Sequence, residues 1–514
     1  SSHRGKDLFH FIETYPRDDL FQVDVDELYR VGTAVLGMQE RRMVRVFVRE
    51  DTYGRFYSVL VYLPRDRYTT TVRLAIQDIL METLHGVSVD YTTMVSESVL
   101  ARLNYTVRVA PEYRDQDVDT DALQARIRAA VRSWDDEFGD ALGQEVGEEQ
   151  SAELATRYAP GLPDAYREAY PARTAVADVR QWDSLADGEI AVRLYQPLDA
   201  PTGQRRFKVF RVAEPVTLLD VLPVLAALDV EVVDEHPYVV RRAGASTAYL
   251  YDFGLTVRGY DELPDFDTLG ERFSDAFLAA FNGEVDPAAT LGLVTRAGLT
   301  WRQASWVQAW VRYSHQIGSR FSFRSITEAL LDHPRFVALL VAWFEARFDP
   351  ANGVEVDEAR RTASDALASQ LTAELDAVLN LDTDRILRQL MEIVGAILRT
   401  NVFQPRGRRA VDADAFKPRA ISGVPEPRPQ FEIWVNSPRT SGVHLRFGPV
   451  ARGGLRWSDR RDDFRTEVLG LVKAQMVKNA VIVPVGAKGG FFCKQPPDSG
   501  DRDAWLAEGI SCYR

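Results

Sequence analysis

The sequence predicts a multidomain protein of mixed α+β and α/β class, and three observations support this. Its 514 residues exceed the roughly 100 to 200 residues that one domain usually takes. The segments 43–109 and 188–258 share a pattern of two strands, one helix and two strands. The remaining chain has helical periodicity until a buried α/β pattern begins near its end.

The first ββαββ unit begins with a hairpin. Residues 43–50 alternate between apolar and charged side chains, a turn follows, and residues 55–63 predict a second strand. Apolar residues at helical spacing then predict a helix over 72–84. Two further strands are expected at 87–95 and 102–109.

The second unit repeats this order. Strands are expected at 189–195, 207–212, 230–233 and 248–257, with a helix over 216–228 between the second and third. One helix packed on one antiparallel sheet is the shape of small regulatory modules that bind amino acids between copies. The alternative interpretation is that both units serve packing or oligomerisation and bind no ligand.

Between and after these units the period of the apolar residues becomes helical. Stripes of aromatic residues at i, i+4 spacing indicate core packing rather than a cofactor site. A helical bundle is expected over about 265–400. Five prolines and many arginines predict a linker or a surface segment at 405–430, before new strands at 431–436 and 442–447.

These patterns divide the chain into six segments. The expected boundaries are 1–112 for the first unit with an N-terminal extension, 113–187 for a helical connector, 188–260 for the second unit, 261–404 for a helical domain, 405–430 for the linker and 431–514 for the start of a further α/β domain. The chain starts without methionine and ends soon after its last lysine, so we expect truncation at both ends.

Charge and cysteine content exclude several classes of protein. The formal net charge is −13, so there is no basic excess to release counterions from nucleic acid or an anionic membrane surface. The two cysteines form no C-x-x-C pair, the seven histidines have no ligand-like spacing, and no apolar run is long enough to span a membrane. We expect a cytoplasmic protein with free thiols, no metal, no nucleic-acid partner and no membrane contact.

Lysine is distributed unevenly along the chain. Only seven of the 62 basic residues are lysines, and four of these lie close together near the end: Lys473, Lys478, Lys488 and Lys494. Lys478 ends a helix predicted from about residue 463, and Lys488 follows a continuous apolar strand at 479–485 in a glycine-flanked loop. Lys473 and Lys494 are interpreted as solvated surface charges.

Lysine offers chemistry at such a place that arginine does not. A guanidinium stays protonated, whereas an ammonium that is desolvated or near other cations can lose its proton and act as a base or nucleophile. Arg452, which precedes Gly453 and Gly454, and Lys478 are the expected neighbours of Lys488. Several cations in one pocket predict a dicarboxylate or another dianionic substrate.

The run ARGGLRWSDRRDDFRTEVLGLVKAQMVKNAVIVPVGAKGGFF at 451–492 resembles the opening of the catalytic domain of large-subunit, NAD-specific bacterial glutamate dehydrogenases. RTNVFQ at 399–404 and the two ββαββ units are similar to the same family, whose N-terminal region carries regulatory modules of the ACT type. The resemblance covers nearly the whole chain. It makes the segment 431–514 the start of the catalytic, substrate-binding domain.

The resemblance implies an activity, a cofactor and partners for the full-length protein. The activity is oxidative deamination of L-glutamate to 2-oxoglutarate and ammonium with NAD. A homo-oligomer and an amino-acid effector at the ACT-like units are also implied. The family's catalytic aspartate and nucleotide-binding domain would lie beyond Arg514, in agreement with the absence of a G-x-G-x-x-G motif here. This chain alone is therefore expected to be inactive.

Residue roles follow from the same resemblance. Lys488 is the catalytic lysine that polarises the substrate carbonyl and activates water, and Lys478 binds the α-carboxylate. Arg452, beside Gly453 and Gly454, holds the distal carboxylate. The common small-subunit dehydrogenases differ here: they have a lysine at the position of Arg452, one more glycine before the catalytic lysine, and two more residues between their two lysines.

Two other interpretations stay open. In the first, the chain is an amino-acid-sensing and assembly module without catalysis, which acts through the two ββαββ units. In the second, the cluster of lysine and arginine binds a phosphate-bearing metabolite unrelated to glutamate.

Overall fold

The computed structural model describes residues 9, 11–13, 15–38, 43–95, 99–114, 116–197, 200–201, 203–257, 266–352, 357–404, 412–449, 453–478, 486–497 and 501–514. At a few helix ends, residues 476–478 among them, it describes the backbone alone. The chain divides into two compact units, Ser1–Arg180 and Gln181–Arg514.

The first unit contains a four-stranded antiparallel sheet in the order β1-β2-β4-β3, and helices before and after it. Its described elements are α1 (Arg17–Leu20), α2 (Val25–Met38), β1 (Arg45–Glu50), β2 (Phe56–Pro64), α3 (Thr70–Thr83), β3 (Gly86–Met94), β4 (Leu100–Val109), α4 (Thr120–Val131), α5 (Trp134–Val146), α6 (Glu148–Tyr158), α7 (Asp164–Ala169) and α8 (Ala172–Asp183), which crosses the boundary between the units.

The second unit contains another four-stranded sheet, in the order β5-β6-β8-β7, then a helical region and a six-stranded sheet. Its described elements are β5 (Ile190–Tyr195), β6 (Gln204–Val212), α9 (Leu218–Ala227), β7 (Val230–Val240), β8 (Ala248–Val257), α10 (Phe266–Phe281), α11 (Leu293–Ala297), α12 (Trp301–Gln316), α13 (Phe323–Leu331), α14 (Pro334–Phe348), α15 (Asp357–Asp376), α16 (Leu381–Gly395), β9 (Ile397–Thr400), β10 (Asp412–Phe416), β11 (Phe431–Asn436), β12 (Thr440–Arg446), β13 (Leu455–Ser458), α17 (Phe464–Lys478), β14 (Ala487–Cys493) and α18 (Arg502–Tyr513).

Both predicted ββαββ units are confirmed, and their helices turn into the third strand in the same way. α3 ends at a buried Leu84, and the next residue, His85, has φ +52°. α9 ends at a buried Leu228, and Asp229 has φ +58°. A left-handed residue just after a helix reverses the chain direction, and here a non-glycine residue takes that conformation in both units.

The second unit's edge strand β7 is longer than expected. It continues to Val240 and includes Pro237, although the sequence analysis predicts an end at residue 233. β7 pairs only with β8 among the described strands, so it is an edge strand of the sheet. Proline, which lacks a backbone N–H, is tolerated at an edge because one side of the strand has no neighbour to accept a hydrogen bond.

The six-stranded sheet has the order β13-β14-β12-β11-β10-β9 and is antiparallel except between β13 and β14. β9 lies where the sequence predicts the end of a helix, and β10 lies inside the expected linker. Phe416 of β10 is fully buried and stacks on Tyr313 of α12, with ring centroids 4.4 Å apart. This contact, 103 positions apart in the chain, is what makes a short Asp-rich run a strand.

Candidate active site

β13, α17 and β14 form a βαβ unit that brings Gly453, Gly454, Lys488 and the backbone of Lys478 to one end of the sheet. β13 and β14 run parallel, and α17 lies between them in the sequence. Phe464, at the start of α17, lines the same cavity as Phe492, near the far end of β14, and Val468 lies against Gly490. α17 therefore runs antiparallel to β14 and ends where β13 and β14 begin.

Gly453 and Gly454 run along the start of β14. The backbone N–H of Gly489 donates to the carbonyl oxygen of Gly454 at 3.2 Å. A Cβ on Gly453 would lie 1.6 Å from the carbonyl oxygen of Ala487. Two backbones approach so closely here that only glycine fits at position 453.

Lys488 lies on strand β14, and the expected glycine-flanked loop is wrong at this point. Its register partner is Leu445 of β12, so it occupies an interior strand. The two glycines that follow serve close packing within the sheet. A Cβ on Gly489 would lie 2.2 Å from a methyl carbon of Leu455, and the glycine after it faces α17 in the same way.

Lys488 is half-buried, and its ammonium lies beside the backbone of Gly454. A Cβ on Gly454 would lie 3.8 Å from Lys488 Nζ. No other side chain or backbone of the described residues, apart from the immediate chain neighbours, comes within 4 Å of that position. A cation next to a side-chain-free backbone is an arrangement that an anionic or carbonyl-bearing molecule can approach closely.

The other two cations of the expected site are only partly described. Lys478 is the last residue of α17, and its backbone lies at the end of the sheet where β14 begins, one residue before Lys488. The structure does not describe its side chain. Arg452 lies outside the described residues, directly before Gly453, and the apolar strand expected at 479–485 also lies outside them.

Two ion pairs hold α17 against strands β13 and β11 of the sheet. Glu467 accepts hydrogen bonds from Arg456 Nε at 2.9 Å and from Ser458 Oγ at 2.6 Å, both on β13. Arg465 donates two hydrogen bonds, of 2.7 and 2.8 Å, to Glu432 of β11, and both side chains are fully buried. Burial lowers the pKa of Arg465, but the charge and hydrogen bonds of Glu432 outweigh it, so the net pKa is raised.

Lys494 is buried, and its interpretation as a surface charge is wrong. Its ammonium donates to Asp286 Oδ2 at 3.1 Å, to Asn436 Oδ1 at 2.9 Å and to the carbonyl oxygen of Ser437. Burial and the nearby Arg312 lower its pKa to about 7. Lys494 directly follows the last residue of β14, and its burial depends on Asp286 and Asn436, which are distant in the sequence. Lys473, by contrast, is exposed as predicted.

Three other features of the described residues bear on function: metal sites, membrane-spanning helices and cysteines. No set of three or more His, Cys, Asp or Glu among them is arranged to hold a metal ion. None of their helices is long and apolar enough to cross a membrane. Cys493 and Cys512 are free thiols.

Six models of domains from one protein family match the chain. They are the catalytic domain of bacterial NAD-glutamate dehydrogenase at residues 370–514, and from glutamate dehydrogenase the ACT2 domain at 45–135, the ACT3 domain at 189–268, and helical motifs 1, 2 and 3 at 1–41, 141–185 and 292–350. The ACT2 and ACT3 matches confirm the ACT-like nature of both ββαββ units.

Whole-chain comparison finds relatives that carry the same name. The chain is 42% identical to the NAD-specific glutamate dehydrogenases of Halomonas elongata and Pseudomonas aeruginosa, and 39% identical to that of Mycobacterium tuberculosis. Each match covers 100% of this chain and 32–33% of the relative, so the chain spans about a third of the length of these curated proteins. These matches show that the chain belongs to the family of large bacterial NAD-specific glutamate dehydrogenases.

Proposed function

We propose that the full-length protein catalyses the NAD-dependent oxidative deamination of L-glutamate to 2-oxoglutarate and ammonium, with Lys488 as the catalytic residue. The observation that carries this proposal is the ammonium of Lys488 beside the backbone of Gly454, in a chain of this family. Gly454 has no side chain, so a substrate carbon that lies against its backbone would be within reach of Nζ.

Lys488 acts as a proton carrier in this proposal. Its neutral amine accepts a proton from a water molecule as the water oxygen bonds to the Cα of the imino acid. The ammonium then returns that proton to the amine nitrogen, and the C–N bond breaks as the new hydroxyl group passes its own proton to Lys488 and becomes the carbonyl of 2-oxoglutarate. In the reverse direction the ammonium donates a hydrogen bond to the carbonyl oxygen of 2-oxoglutarate and polarises it. NAD supplies the hydride acceptor, and we assign no residue of this chain to it because the sequence lacks a G-x-G-x-x-G motif.

Two further cations complete the proposed substrate site. Lys478 binds the α-carboxylate and Arg452 binds the distal carboxylate of the substrate, while Gly453 and Gly454 leave room for its carbon chain. The topology supports this, since the end of α17 and the start of β13 lie at the same end of the sheet as Lys488. Two carboxylates match two cations in charge, which favours a dicarboxylate over an uncharged substrate.

Replacement of Lys488 in the full-length protein tests the assignment. Lys488→Ala is expected to lower turnover by about 10²- to 10⁴-fold or more while folding and NAD binding persist. Lys488→Arg is expected to be almost as damaging, because the charge stays but the titratable amine is lost. Lys473→Ala, which removes an exposed lysine of α17, is the matched control and should keep full activity. Near-normal turnover of Lys488→Ala would overturn the proposal.

A second candidate function is amino-acid sensing by the ACT-like units. Strand β7 lies at the edge of the four-stranded sheet of the second ACT-like unit and exposes Val233 and Val239. This edge is therefore accessible to a ligand or to another copy of the chain. Calorimetric titration with a panel of amino acids tests it, and no heat with any of them would leave only a packing role. The proposal also includes a cytoplasmic location and a homo-oligomeric state. Measurement of the molar mass of the full-length protein in solution tests the oligomeric state.

A further inference from the structure

A cavity of about 470 Å³ lies in the second unit between α12, α13 and the six-stranded sheet. Its wall is mostly apolar and includes the rings of Phe323, Trp434 and Phe464. Lys494 lines it just past the end of β14, whereas Lys488 lies near the start of that strand. Six residues of extended strand span about 20 Å, so the cavity is separate from the proposed active site.

Two cations at one end of this cavity share a single carboxylate. Asp286 contacts Lys494 Nζ at 3.1 Å and Arg312 at 2.7 Å. Their side chains are only 8% and 18% exposed, so little water screens the excess charge. Burial is the main cause that lowers the pKa of Arg312, Asp286 opposes it and Arg461 adds to it.

The other charged residues of the described wall balance one another. Arg324 pairs with Glu328 at 2.7 Å, and the neighbours Arg461 and Asp462 have opposite charges. When Lys494 is protonated, the shared carboxylate leaves one net positive charge at the cavity. One anionic group of a bound molecule would neutralise it.

Two buried hydrogen-bonding groups on the wall also lack partners. Thr290 Oγ1 and Trp434 Nε1 have no hydrogen-bond partner within the described part of the chain. Their residues are 4% and 1% exposed, and both line the cavity. Buried polar groups are paired in the great majority of cases, so these two groups would gain from an acceptor atom of a ligand. Neither atom is accessible in the unliganded protein, so their side chains must move slightly for a ligand oxygen to reach them.

We propose that this cavity binds a small organic monocarboxylate with an apolar body. The carboxylate lies at the end formed by Lys494 and Arg312 and accepts hydrogen bonds from Thr290 and Trp434. The apolar body packs against the aromatic wall. A cavity of this size is in the usual range for small-molecule sites. A dianion such as inorganic phosphate fits less well, because one net positive charge and an apolar wall leave its second charge uncompensated.

Calorimetric titration of the full-length protein with 3-phenylpropanoate tests the proposal. We expect saturable binding with one site per chain. The amide 3-phenylpropanamide has nearly the same shape without the charge, and it should bind at least about tenfold more weakly, because a hydrogen-bonded charge contributes more than a neutral group. Inorganic phosphate should not compete with 3-phenylpropanoate.

Two conservative variants locate the site. Thr290→Val and Trp434→Phe each remove one unpaired donor, so each should weaken binding by about three- to tenfold. Thr290→Val should leave the melting temperature of the unliganded protein unchanged or raise it. If the hydroxyl group of Thr290 instead stabilised the fold, its removal would lower the melting temperature. Thr372→Val, on the exposed face of α15, is the matched control and should bind as the unaltered protein does.

Three results would overturn the inference. They are absence of binding in the millimolar range, equal binding of acid and amide, and unchanged affinity in both Thr290→Val and Trp434→Phe. Lys488→Ala should bind 3-phenylpropanoate normally, and loss of binding in that variant would place the ligand in the proposed active site instead. The inference and the proposed glutamate chemistry can therefore fail separately.

Discussion

Asp414→Asn is expected to stabilise the second unit at neutral pH. Asp414 lies on β10 and is 5% exposed, and Trp310 Nε1 donates a hydrogen bond of 3.2 Å to its Oδ2. Burial is the main cause that raises its pKa from 3.8 to about 6, and hydrogen bonds from Thr400 and Trp310 oppose the rise. The folded protein therefore favours the neutral acid, which asparagine resembles in charge and shape.

The expected magnitude follows from the two pKa values. The difference between 3.8 and about 6 corresponds to about 3 kcal/mol of folding free energy. Because the folded-state pKa of Asp414 is the higher one, its stabilising contribution is complete below about pH 4 and is lost as the pH rises through about 6. The stability difference between Asp414→Asn and the unaltered protein should therefore grow from about pH 4 and level off near pH 7.

The assay is urea unfolding at a series of pH values, with hydrogen exchange of peptides from β10 and β11 as the readout. A local readout is needed because a multidomain chain does not have to unfold in a single transition. Asp459→Asn makes the same change at an exposed position and controls for net charge. A stability difference for Asp414→Asn that stays constant with pH would refute the reasoning, even if the variant were more stable.

Three further predictions concern the site and its support. Gly453→Ala should prevent normal folding of the sheet end, because its methyl group would meet the Ala487 carbonyl oxygen at 1.6 Å, whereas Gly454→Ala should keep the melting temperature and lower the activity of the full-length protein. Glu432→Gln should lower the free energy of unfolding by about 3 to 5 kcal/mol in urea titrations, since it leaves a buried guanidinium without its charged partner. The lowered pKa of Lys494 means that the folded state loses this proton first, so stability should rise between about pH 7 and the ordinary value of 10.5, and Lys494→Met should lose that rise in pH-dependent thermal melts.

Local pattern was enough to predict the two ββαββ units and the helix of the catalytic segment. The alternation of residues 43–50 and the apolar spacing of the helix that follows depend on neighbours a few positions apart, so the sequence displays them directly. The helix expected from about residue 463 begins at Phe464 and ends at Lys478 for the same reason.

Contacts between distant segments were not predictable in this way. β10 is a five-residue run with two aspartates, and its pairing with β9 and β11 depends on where those strands lie in three dimensions. The residues around Lys488 form a strand instead of the expected loop, because the two glycines that follow pack closely against Leu455 and against α17. The local sequence does not show these contacts.

The sequence by itself was enough to predict which residues carry the chemistry, since the scarcity of lysine and the glycines around Lys488 led to the prediction of Lys488 and its neighbours without coordinates. Only the tertiary structure decided how each lysine is used. Lys488 lies on β14 beside the backbone of Gly454, whereas Lys494, just past the end of that strand, is enclosed by Asp286, Asn436 and Ser437. The pKa and accessibility of an ammonium depend on burial and on charges brought together from distant parts of the chain, and spacing along the sequence does not contain that information.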